Sequence, residues 1–117
     1  MKDFRKLKVW EKSHSMALSI YTASKGFPKE ELYGISAQLR RAMVSIPTNL
    51  AEGCGRGSDK DFRRFVQIAM GSACETEYLI LLCRDMKYIS EEIFNRLLVE
   101  IQEIKRMLVS LLSKLKS

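Results

Sequence analysis

The sequence predicts an all-α protein: an antiparallel up-down-up-down four-helix bundle, one domain over residues 1–117, with its second helix kinked at Pro47. Three observations lead there. Apolar residues recur at helical spacing in four long blocks, and nowhere do they alternate with the period of a strand. Each block is bounded by a cap or a breaker, namely Gly26 with Pro28, Gly34, the glycine-rich turn at 53–57, Ser58 and Ser90. The links between blocks are short, which sets neighbouring helices antiparallel.

The first helix is expected over residues 7–25, with Val9, Trp10, Met16, Ala17, Ile20 and Tyr21 as its inward stripe. Gly26 stops it and Pro28 prevents its continuation. The second, over 35–54, carries Leu39, Ala42, Met43, Ile46, Leu50 and Cys54. Pro47 removes the bond to the Met43 carbonyl, so a kink is expected rather than a break, because the apolar spacing stays in phase across it. The third helix, over 59–86, starts at an N-cap Ser58 with Asp59 and Asp61 in its first turn. Small residues from Ala69 to Cys74 mark a tight crossing. The fourth, over 91–115, starts at Ser90 and repeats Ile93, Leu97, Ile101, Ile104, Leu108, Leu111, Leu112 and Leu115 in near-heptads. The glycines of the 53–57 turn are expected to supply positive φ.

Charge is the main functional signal. A formal net charge of +6 favours a polyanionic partner. The densest arginine cluster lies between Gln38 and Arg64. Within it Arg56, Lys60, Arg63 and Arg64 surround the turn and the start of the third helix, which makes them the first candidates for phosphate contact. Arg40 and Arg41 admit two readings, phosphate contact or an ion pair with Glu52, Glu75 or Glu77; being adjacent, they point about 100° apart and are not expected to face one partner. Lys2, Arg5, Lys6 and Lys8 form a second patch, an arm of the same patch, or a flexible arm.

No constellation for catalysis is apparent, and the chain is expected not to be an enzyme. Glu75 and Glu77 face different sides of a helix, the single His14 has no metal-binding partners, and the glycine turn lacks phosphate-loop spacing. No metal or cofactor is expected. The odd set Cys54, Cys74 and Cys83 suggests buried thiols in a reducing compartment. No apolar run of membrane-spanning length and no signal peptide is apparent, so a cytoplasmic protein without a membrane partner is expected.

Phe4, Leu7, Val9 and Trp10, then Phe27-Pro28, then the block from Gln38 to Gly53, then Arg56 and Gly71-Ser72 with Glu75 and Glu77, together resemble the bundle proteins encoded in intervening sequences of 23S ribosomal RNA genes. Relatives of that family include the accessory variability determinant protein of diversity-generating retroelements. The resemblance implies a four-helix bundle that assembles as a ring, commonly a pentamer, with a positive surface for nucleic acid. Two functions are therefore expected to compete. One is a non-catalytic oligomer that binds RNA or DNA. The other is a scaffold docking a partner enzyme such as a reverse transcriptase. Apolar residues beyond the four stripes, among them Val44, Val66, Leu81 and Val99, independently point to subunit contacts.

Overall fold

A computed structural model describes residues 2–115 and holds four helices: α1 (Lys8–Ser24), α2 (Ile35–Cys54), α3 (Asp59–Asp85) and α4 (Glu91–Lys114). Short 3-10 turns at Phe4–Lys6 and Lys29–Glu31 precede α1 and α2. Each helix packs on its neighbours in sequence and α4 closes on α1, while the backbones of the diagonal pairs stay apart. This is the up-down-up-down ring, 43 Å along its longest axis.

The helices begin where the capping residues place them. Ser58 Oγ accepts from the Asp61 N–H at 3.2 Å, and Ser90 Oγ from the Ile93 N–H at 3.1 Å. Each satisfies a first-turn donor that has no partner within its helix. α2 runs unbroken through Pro47, which is buried.

The core is formed by the stripes, with Ile20, Met43, Ile46, Leu50, Ile80, Ile101, Ile104 and Leu108 closed off from solvent. Three of its four buried polar side chains bond locally. The Ser13, Ser24 and Thr76 hydroxyls donate to carbonyls of their own helices, at 3.0, 3.2 and 2.8 Å. Two residues sit deeper than periodicity placed them. Val66 is fully buried rather than lateral, and Phe94 occupies the α4 core position while Ile93 is only half-buried.

The glycines of the 53–57 turn do not supply positive φ; no glycine in the described residues has it. Gly53 serves a close approach instead. A Cβ there would lie 2.8 Å from the Phe65 Cβ and 2.9 Å from the Phe62 Cδ1. The left-handed position is Lys87, at φ 64°. It closes α3 in a Schellman motif, with the Tyr88 N–H donating to the Cys83 carbonyl and the Lys87 N–H to the Arg84 carbonyl, both at 2.9 Å.

Two further expectations change. Cys54 and Cys83 are buried, but Cys74 is exposed, because it falls one position past the core residue Ala73 and so turns outward. By length and composition α3 alone, among the described residues, reaches what a membrane span requires. Its inner face is nonetheless bundle core, and Glu75 and Glu77 interrupt its middle.

Candidate nucleic-acid interface

The end of the bundle where α2 gives way to α3 gathers most of the candidate cations. Gly53 lets α3 close tightly over the last turn of α2, which brings Arg56 and the first turns of α3 around one ring. The Arg56 and Arg64 guanidiniums lie 5.0 and 4.6 Å from the centroid of Phe65. The ring is buried beneath them, so its face orders two flexible side chains in a geometry favourable to cation–π attraction. Arg56 also pairs with Glu52, one turn back, at 3.2 Å. That pair is half-exposed and therefore weak. Lys60 and Arg64 are exposed, and among the described residues neither has a carboxylate within 4.0 Å.

The N-terminal segment joins this end. The Lys2 N–H donates to the Cys54 carbonyl at 3.2 Å, and Lys2 Nζ pairs with Asp59 at 3.2 Å. The arm is thus docked at its start, and Lys2 belongs to the same patch as Arg56. Arg5 is paired with Asp3 instead. Arg63 has a structural task, since its Nε donates to the Leu115 carbonyl at 3.0 Å, just past the end of α4. It is half-buried there.

Arg40 and Arg41 do not join this cluster. Arg40 precedes Arg56 by 16 residues on the α2 side of the turn, a rise of about 24 Å along a helix. Neither pairs with Glu52, Glu75 or Glu77. Those carboxylates are taken by Arg56, by Gln38 at 3.4 Å and by Lys105 at 3.1 Å. Arg40 Nε instead donates to Ser24 Oγ at 2.7 Å, and its guanidinium lies 4.9 Å from the Tyr21 ring. Arg41 is exposed. Adjacent on α2, both nonetheless line one groove over α1 and α2, contrary to the expectation that they would not face one partner. The six candidate residues therefore form two separate sites, which linear clustering did not distinguish. Sequence reasoning also passed over Phe65 as anything but core, and no signal in the sequence marks it as a platform.

The groups that resembled catalytic machinery are engaged separately. Glu75 bonds to α2 and Glu77 to α4. Burial pushes the Cys83 thiol up to about 11 and raises that of Cys54, which leaves both weak nucleophiles. No group of three or more His, Cys, Asp or Glu side chains among the described residues is placed to hold a metal ion.

Comparison with known proteins adds three findings. The family model described as 23S rRNA-intervening sequence protein matches residues 5–110. A crystal structure of a protein with unknown function from the S23 ribosomal protein family, from Bacteroides thetaiotaomicron, is similar over 90% of this chain and 95% of that one, at 30% identity and a TM-score of 0.83. No curated protein matches.

Proposed function

Since the chain belongs to the 23S rRNA-intervening sequence protein family, we propose that it is a non-catalytic, cytoplasmic nucleic-acid-binding protein that acts as a homo-oligomer. Its contact surface is the bundle end carrying Arg56, Lys60 and Arg64. The observation that carries this reading is the shared seat of Arg56 and Arg64 on Phe65, beside an unpaired Lys60. Ordering the guanidiniums before contact lowers the entropy lost on binding. Their N–H edges remain suited to paired bonds with phosphate oxygens. A polyanion also competes easily with Glu52 for Arg56, since that pair is half-exposed.

Among the described residues, Phe62 and Phe65, the rings beneath these cations, are both buried and present no face on which bases stack. Duplex or folded RNA, read through phosphates and shape, is thus the favoured partner class. Repetition of a modest patch around an oligomer supplies avidity. The test is the triple variant Arg56→Glu, Lys60→Glu, Arg64→Glu, assayed by fluorescence anisotropy on a labelled RNA hairpin. Arg63 is left intact because of its bond to Leu115. Affinity is expected to fall by about tenfold or more, with helicity and oligomeric mass unchanged. Unaltered affinity would contradict this placement of the site.

A further inference from the structure

The basic run at the start of the chain is only partly used by the site just described. Lys2 and Arg5 are held by Asp59 and Asp3. Lys6 and Lys8 are exposed, and among the described residues neither has a carboxylate within 4.0 Å. Alternating helix direction puts the start of α1, the end of α2, the start of α3 and the end of α4 at one end of the bundle. Lys114, in the last turn of α4, therefore reaches that same end. A hollow of about 310 Å³ in the α1–α4 seam has Lys8 and Lys114 together in its lining. Lys114 is exposed and, among the described residues, is equally without a carboxylate within 4.0 Å.

Two rows of cations thus border one bundle end. Arg56, Lys60 and Arg64 stand on its α2–α3 side. Lys6, Lys8 and Lys114 stand on the α1–α4 side, which is opposite in the ring of helices. Between the rows the charges are spent on the protein itself: Lys2 on Asp59, Arg5 on Asp3, and Arg63 on the Leu115 carbonyl. The carboxylates nearest the second row lie further down the bundle. Glu11 is three residues along α1 from Lys8, and Glu103 is paired with Lys12 at 3.3 Å. The other end of the bundle has the opposite balance. Its links and first turn, residues 25–34 and 84–92, hold five carboxylates against four lysines and arginines.

We infer that Lys6, Lys8 and Lys114 are a second phosphate-contacting row, and that this end takes a double-stranded segment laid across both rows. The inference rests on the nucleic-acid reading above and extends it to the opposite side of the end. The bundle is 24 and 20 Å across its two shorter axes, which bounds the distance between the rows. A duplex covers that width in about six to seven base pairs at roughly 3.4 Å each. It is also stiff over such a length, with a persistence length of about 150 base pairs. It therefore bridges the rows without the ordering cost that a flexible single strand incurs. A stem of about four base pairs, roughly 14 Å long, meets the first row alone. Lysine suits the second row, because a point charge on a flexible stem follows a phosphate without demanding a fixed geometry.

Lysine footprinting of the wild-type protein is the test. The protein is acetylated briefly, alone and saturated with an RNA duplex of about ten base pairs, roughly 34 Å long, and mass spectrometry reads the rate at each lysine. Lys6, Lys8 and Lys114 are expected to lose reactivity together with Lys60, while Lys29 and Lys87 at the other end keep their free rates. A variant carrying Lys8→Glu and Lys114→Glu adds a second measurement, with folding verified by circular dichroism; Lys8→Gln with Lys114→Gln replaces it should it fail to fold. It is expected to bind the long duplex about tenfold more weakly and a hairpin with a stem of about four base pairs as the wild type does. Protection of Lys60 alone would overturn the inference and leave the bundle-end reading standing. So would a variant that binds both RNAs normally, or one that loses affinity for both equally. Absence of duplex binding by the wild type, or no protection even at Lys60, would overturn the bundle-end reading and this inference with it.

Discussion

Gly53 and Gly57 belong to one turn in the sequence, yet they answer to different physics. At Gly53 a methyl group would have to displace the Phe65 Cβ and the Phe62 ring, whereas at Gly57 it would meet nothing within 4 Å. Gly53→Ala should therefore cost about 1–3 kcal/mol, as overpacking does. Gly57→Ala should be neutral or stabilise by about 0.4–1 kcal/mol through the unfolded chain. Urea denaturation of both variants checks the contrast. The sequence shows the glycines but not which of them faces a helix, because that depends on how closely α3 crosses α2. The thiols give a second residue-scale prediction. Burial raises Cys83 from an ordinary value of 9.0 to about 11, and the bond from the Tyr88 hydroxyl to Glu31, at 2.8 Å, leads the causes that raise Tyr88 above 10.0. In both cases the folded state holds its proton to higher pH than the unfolded state. The resulting stability is complete below about pH 9 and is lost as pH rises towards the folded values. A denaturation midpoint that falls between pH 9 and 11 is the expected result, with Cys54 and Cys83 resisting a thiol reagent at neutral pH until the chain unfolds.

At the scale of elements, helix bounds were legible to within a residue, but the cap that closes α3 was not. Ser58 and Ser90 announce α3 and α4 because a hydroxyl before a helix has one dominant use, and both hydroxyls make the expected bond. The cap of α3 is concealed because its left-handed residue is a lysine. A side chain at that position brings its Cβ close to the carbonyl oxygen, at a cost of about 1–2 kcal/mol. Lys87→Gly should therefore raise stability by roughly 1 kcal/mol, read as a higher melting temperature. An unchanged or lower one would show that the lysine stem makes a compensating contact. Pro47 illustrates the opposite case, in which a breaker fails to break. The stripe Leu39, Met43, Ile46, Leu50 stays in phase across it, and burial of that stripe on both sides maintains one helix.

At the scale of the molecule, the order and pairing of the helices followed from periodicity and short links, which is why the bundle was readable throughout. The surface was less so. Arg40, Arg41, Arg56, Lys60, Arg63 and Arg64 lie within a short stretch of sequence, but α2 separates the first two from the rest. Arg63 is occupied with Leu115, and Arg56 and Arg64 converge on a ring that periodicity assigns only to the core. Side-chain convergence across a turn leaves no pattern in a linear sequence. The claim that depends on it is that the bundle end engages phosphates, and salt dependence tests this most directly. Anisotropy titrations of wild-type protein on one labelled RNA hairpin, repeated across a series of salt concentrations, give the slope of log K against log salt. Three cations per engaged subunit predict a slope of about −2 to −3 for each subunit in contact. A flat dependence, or no binding at the lowest salt, would contradict the account.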